Sequence, residues 1–138
     1  MKNITILSIL VMFLSLGTAC TGNDKNTTET ATVAKQSEKV EVYYFHNARR
    51  CATCKAVEAE AKKAIEELYG NRVLFAAYNL EEAEGEQKAK DLGVSGQTLL
   101  IVNGDTKINI TNEGFMNARN NVDKFKAVIK EKIDPLVN

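Results

Sequence analysis

The chain has 138 residues, with 18 Lys and Arg against 18 Asp and Glu and so no formal net charge. That balance excludes a global electrostatic pull toward nucleic acid. Beyond the first 38 residues, about 100 remain, enough for one domain with a modest core, and no internal repeat divides them.

Met1-Lys2-Asn3 is basic, Ile4 to Leu16 is an apolar run broken only by Thr5 and Ser8, and Gly17-Thr18-Ala19 are small residues leading to Cys20. A basic start, an apolar middle and a small-residue cleavage site make a signal peptide. The run is shorter than the roughly 20 apolar residues of a membrane span. Cys20 directly after Thr18-Ala19 resembles the lipobox of bacterial lipoproteins, although Gly17 stands where leucine is usual and Leu16 lies one place further out. That resemblance implies a signal peptide over residues 1–19, a lipidated Cys20, and an exported, membrane-anchored protein facing the periplasm or the cell surface. Cleavage by ordinary signal peptidase, leaving a soluble exported protein, is the alternative. Thr21 to Glu38 is polar, rich in threonine and free of aromatic residues. It cannot bury enough apolar surface to order itself. Residues 20–38 therefore read as a flexible tether, with an end-to-end distance of roughly 25 Å.

Val40 to His46, rich in β-branched and aromatic residues, predicts a strand, and Tyr43 and Tyr44 read as sheet-packing residues. Cys51 to Tyr69 predicts a helix, since Cys54, Val57, Ala61, Ile65 and Leu68 make one apolar stripe. Glu58 and Lys62 are expected to pair on its wet side, and Gly70 to stop it. Val73 to Leu80 predicts a second strand with an unbroken apolar centre suited to burial on both faces. Glu81 to Leu92 predicts a shorter polar helix ending at Gly93, although Gly85 weakens it, and the acidic run Glu81 to Glu86 reads as its solvated face. Thr98 to Val102 predicts a third strand, Asn103-Gly104 a hairpin turn, and Lys107 to Thr111 a fourth strand. Asn121 is placed to cap a last helix with the stripe Val122, Phe125, Val128, Ile129 and Ile133. A strand-helix-strand start implies a parallel pair and the hairpin an antiparallel one. The sum is an α/β fold, a central mixed four-stranded sheet flanked by helices in the order β-α-β-α-β-β-α.

Arg50-Cys51-Ala52-Thr53-Cys54-Lys55 sets a C-x-x-C with basic flanks at a strand-to-helix junction, in a chain with three cysteines. That is a thiol–disulfide redox signature. The element order, with C-x-x-C opening the first helix, resembles the minimal thioredoxin fold over residues 39–138. Gly93 to Asp105 also resembles the thioredoxin segment that enters the third strand and turns at Asn-Gly. Three departures stand out. Gly96-Gln97 takes the place of the thioredoxin cis-proline, the dipeptide between the cysteines is Ala-Thr, and no acidic residue sits late in the first strand. The resemblance implies the fold; broad protein-disulfide reductase activity does not follow from it.

At a helix N-terminus, unpaired N–H groups and the helix dipole favour an anion. With Arg49, Arg50 and His46 nearby, Cys51 is expected to ionise well below the ordinary cysteine value of about 8.5. Cys54, one turn on along the apolar stripe, is expected to be less exposed. Cys51 then forms the mixed disulfide and Cys54 resolves it. A structural disulfide, a site for Cu(I) built from Cys51, Cys54 and His46, and a degenerate site kept for its fold remain open beside this reading. A c-type haem motif fails because Lys55 stands where histidine is required. His46 either tunes the thiols and shuttles a proton or simply closes the strand. Arg50 is favoured over Arg49 as a tuning residue, and Gln97 is a further candidate resting on the fold resemblance. No organic cofactor is implied, because the redox equivalents sit on the cysteines. The expected partners are thiols or disulfides of envelope proteins, with a membrane electron donor for a reductant or a re-oxidising acceptor for an oxidant. The protein is expected to be a monomer. The leading rival is a thioredoxin-fold lipoprotein that carries Cu(I) or docks a protein without turnover.

Overall fold

A computed structural model describes residues 39–137. The expected signal peptide, the expected lipidation at Cys20 and the expected tether fall outside the described residues. The elements run β1 Val40–His46, α1 Ala52–Tyr69, a single 3-10 turn Gly70–Arg72, β2 Val73–Asn79, α2 Ala83–Leu92, β3 Thr98–Asn103, β4 Thr106–Asn109, α3 Thr111–Asn117 and α4 Val122–Val137.

The strands form one sheet in the order β2-β1-β3-β4. β1 runs parallel to β2, with Val40 opposite Val73, and antiparallel to β3, with Phe45 opposite Thr98. β3 and β4 form the antiparallel hairpin, with Ile101 opposite Ile108. Alternation along the strands sorts side chains between two layers. Val40, Val42 and Tyr44 of β1 join Leu99 and Ile101 of β3 against Val57, Ala61 and Ile65 of α1 and Phe125, Ile129 and Ile133 of α4. Tyr43, Phe45, Leu100 and Val102 form the opposite layer, with Ala89 of α2.

Four expectations need correction. β2 is an edge strand and is not buried on both faces; Leu74 is 45% exposed. The ten-residue α2 reaches only the far half of β2, where Ala76 and Tyr78, with Leu80 just beyond the strand, pack into its layer. Glu58 does not pair with Lys62: it binds Arg50, and Lys62 lies 3.8 Å from Glu66. The fourth strand stops at Asn109, and a short helix, α3, follows it. Asn109 Oδ1 accepts from both the backbone N–H (3.0 Å) and the hydroxyl (2.6 Å) of Thr111, a local turn that ends the ladder. Thr111 Oγ1 accepts in turn from Leu99 N–H at 2.8 Å, fastening α3 to β3. Gly114 lets α3 lie close, since a Cβ there would stand 3.2 Å from Val57 Cγ1.

Gly85 is the fourth. Its low helix propensity counts against a helix here, yet it is what lets α2 start, because a Cβ at this position would lie 2.0 Å from the Asn79 carbonyl oxygen. Asn121 caps α4 as expected, its Oδ1 accepting from Lys124 N–H at 3.3 Å.

Candidate active site

The chain leaves β1 at His46, crosses an exposed loop and enters α1 with Cys51 as N-cap, in extended backbone at φ −74° and ψ 165°. Cys51 Sγ accepts from Cys54 N–H at 3.1 Å, the bond a serine or aspartate oxygen makes at other helix starts. The first turn of α1 carries no acidic side chain. The positive end of the helix therefore has no carboxylate of its own there to meet and acts on the Cys51 sulfur. Cys51 is exposed and Cys54 buried, as the stripe predicts. The two are disulfide-bonded, with Cα atoms 5.1 Å apart.

Beneath the pair lies Tyr44, fully buried. Its hydroxyl donates to the Cys54 carbonyl at 3.1 Å and accepts from Gln97 Nε2 at 3.0 Å. Gln97 Oε1 lies 3.8 Å from Cys54 Sγ. Thr98, next to Gln97, turns its hydroxyl back to the Gly96 carbonyl at 3.0 Å, which shapes the segment that stands where thioredoxins carry proline. Burial pushes the Tyr44 hydroxyl above its ordinary range, with Gln97 and Arg50 opposing and Glu58 adding to the rise. The phenol therefore stays protonated and acts as a donor.

The Arg50 guanidinium lies over the Tyr44 ring, 5.7 Å from its centroid, and binds the half-buried Glu58 carboxylate one helical turn beyond Cys54. Its charge is thus shared with Glu58 and not turned wholly on Cys51. Arg50 Nε is buried without a partner among the described atoms. His46 sits on the same side, its ring centroid 5.9 Å from that of Tyr44 and Nδ1 3.0 Å from the Asn47 carbonyl. Arg49 is exposed. The loop between β1 and α1 is held from the far side: Leu80 N–H donates to the His46 carbonyl, and Ala48 N–H to Glu81 Oε1, both at 2.8 Å.

The structure therefore gathers Cys51, Cys54, Arg50 and Gln97 around Tyr44, with His46 joined through the tyrosine ring. Among the described residues, no three His, Cys, Asp or Glu side chains converge as a metal ion needs, so His46 does not complete a triad with the two sulfurs. Three site residues escape the sequence reading: Tyr44, Glu58 and Glu81. Tyr44 falls in phase with Val40 and Val42, whose face meets α1, and Glu58 follows Cys54 by four residues, the spacing that puts both on one helix face. Glu81 carries no comparable pattern.

No protein-family model matches the chain. No curated protein is similar to it at a significant level. Among solved structures it is similar to thioredoxin f2 of Chlamydomonas reinhardtii, at 22% identity over 71% of this chain and 82% of that one, with a TM-score of 0.47. It is similar to oxidised thioredoxin O2 of Arabidopsis thaliana at 19% identity over 69% and 76%, TM-score 0.47. A malarial protein is similar at 21% over 64% and 96%, TM-score 0.45. The fold is thioredoxin-like. Strand order, the two helical layers and a C-x-x-C capping the first helix carry that statement on their own.

Proposed function

We propose that the protein is a thiol–disulfide oxidoreductase of the bacterial cell envelope, working through Cys51 and Cys54 on protein thiols or disulfides. The observation that carries the proposal is the asymmetry of the pair: an exposed sulfur at a helix N-terminus, bonded to a buried one a turn away. An exposed, stabilised thiolate attacks or leaves readily, and a neighbouring buried thiol closes the intramolecular bond. In the reducing direction Cys51 takes the mixed disulfide and Cys54 releases the substrate; in the oxidising direction the same bonds are made in reverse order. Residues 1–19 serve as signal peptide, Cys20 as the lipid anchor and residues 20–38 as the tether that lets the domain turn near the membrane.

The test is the Cys54→Ser variant of the full chain. It should accumulate a mixed disulfide through Cys51 with a disulfide-bonded protein and release it on addition of dithiothreitol. A Cys54→Ser protein that traps nothing, with Cys51→Ser leaving every exchange reaction unchanged, would overturn the proposal. Membrane fractionation of Cys20→Ala tests the anchor separately: the variant should move to the soluble fraction, and retention on the membrane contradicts it.

A further inference from the structure

Beneath the C-x-x-C lie a fully buried phenol and, between it and Cys54, a half-buried amide. Disulfide exchange requires neither. A tyrosine hydroxyl has one proton to give. Tyr44 gives it to the Cys54 carbonyl, so its oxygen only accepts from Gln97, which puts the amide nitrogen on the Tyr44 side. The amide oxygen is left facing Cys54 Sγ. The single Tyr44 hydroxyl proton thus fixes which end of the Gln97 amide meets the sulfur.

On the exchange reading, we infer that Gln97 is a positioning residue that keeps reduced Cys54 as a thiol, with Tyr44 holding the amide so that its oxygen faces the sulfur. An amide oxygen accepts a hydrogen bond but is not a base at neutral pH. A bond to the neutral form of an acid disfavours its charged form. Cys54 then donates S–H to Gln97 while its N–H serves the Cys51 sulfur, so one residue holds a proton on itself and favours an anion on its partner. The other charged or titratable groups around Cys54 are Tyr44 and, beyond it, His46 from β1, with Arg50 and Glu58 from the loop and α1. From β3 and its approach come the neutral Gln97 and Thr98. α3 brings Gly114 to Val57, and its acid Glu113 lies toward Lys132 of α4.

The reduction step then has a fixed order. The Cys51 thiolate attacks a substrate disulfide R–S–S–R′, forming Cys51–S–S–R and expelling R′S⁻. That thiolate takes up, through solvent, the proton that Cys54 gives up. The Cys54 thiolate attacks Cys51 Sγ, the Cys51–Cys54 bond forms, the Cys51–S–R bond breaks, and RS⁻ leaves to be protonated by water. Two electrons pass from the dithiol to the substrate disulfide.

The experiment follows alkylation of Cys54 by iodoacetamide against pH in the reduced full chain carrying Cys51→Ser, read by mass at the Cys54 peptide. The midpoint reports ionisation and the high-pH plateau reports access. Gln97→Leu should move the midpoint to lower pH and raise the rate at neutral pH by about 3- to 10-fold, the range of one neutral hydrogen bond. Gln97→Glu should move it the opposite way, because a carboxylate beside the sulfur opposes a second negative charge. Tyr44→Phe frees the amide to turn and should follow Gln97→Leu by a smaller factor; it decides the matter if circular dichroism finds either Gln97 variant unfolded. Midpoints that stay put, or that move together in Leu and Glu, overturn the inference. Wild-type exchange, measured alongside, separates the two levels: exchange with unmoved midpoints removes only the role of Gln97, whereas no exchange removes the proposed function whatever the midpoints do.

Discussion

Gly85→Ala sets helix propensity against packing. Alanine is the better helix former by about 1 kcal/mol, so propensity alone makes the variant more stable. The structure reverses the sign. The new Cβ would stand 2.0 Å from the Asn79 carbonyl oxygen and 2.7 Å from its carbon, where ordinary contact begins near 3.4 Å. To relieve it, the start of α2 has to shift by roughly the difference, about 1.4 Å. That carbonyl accepts from Glu82 N–H at 3.1 Å, and the Asn79 side chain holds Glu81 N–H at 3.1 Å and Glu82 Oε1 at 2.9 Å. Overpacking of this kind costs about 1–3 kcal/mol and a disrupted hydrogen bond about 1 more. Set against the propensity gain, the net loss is about 1–3 kcal/mol, or a fall in Tm of roughly 5–20 °C for a domain of this size. Thermal and urea unfolding measure it. Hydrogen exchange localises it, because Ala48 N–H, bonded to Glu81 Oε1, should lose protection before the amides of α1 do. A variant as stable as the wild type, or more so, would refute the close approach of α2 to Asn79.

Tyr44→Phe removes one bond to the Cys54 carbonyl and one from Gln97; it should cost about 1–2 kcal/mol in urea unfolding, and adding Gln97→Leu should cost less than the two losses summed, by about 0.5 kcal/mol or more. Burial comes first among the causes that hold the hydroxyls of Tyr43, Tyr44 and Tyr69 above their ordinary range, with Glu41 and Asp134 reinforcing it at Tyr43 and Tyr69. The unfolded chain releases these protons near pH 10 while the folded chain keeps them. Their contribution is therefore complete below about pH 10 and is lost as pH rises beyond it, and in a Tyr78→Phe chain, whose remaining tyrosines are these three, tyrosinate absorbance should grow together with loss of the circular dichroism signal, not before it. Glu58→Gln frees the Arg50 guanidinium from its carboxylate; alkylation of Cys51 at neutral pH should quicken by a few-fold, about 2 to 5, and no change would mean that Arg50 does not act on the nucleophile.

Much of the architecture was legible because local patterns and tertiary demands agreed. The Cys54-Val57-Ala61-Ile65 stripe, the β-branched run at Val40 and the Asn103-Gly104 turn each point to the element that forms. Legibility failed where a neighbour in space decided the outcome. The apolar run of β2 reads the same whether both faces are fully covered or one of them only over its far half, and the short α2 settles that. α3 has seven residues and a central glycine, too few for periodicity, and it exists because Thr111 and Gly114 fasten it to β3, Val57 and Phe125. At the site, cysteine spacing exposed the Cys51–Cys54 pair, and the fold resemblance brought Gln97 into view. The phenol of Tyr44 stayed hidden because a strand tyrosine that packs and one that hydrogen-bonds a helix carbonyl share the same sequence signature. Glu58 looked solvated because its partner, Arg50, approaches from the loop and not from the next turn of its own helix.

The most direct test of the central claim is the reduction potential of Cys51–Cys54, obtained by equilibrating the protein in graded thiol buffers and counting alkylated cysteines by mass. A reversible two-electron transition between about −270 and −120 mV, the range of known exchange proteins, is the expected result. A bond that resists reduction below about −300 mV, or one that does not form at all, would contradict a redox-active pair.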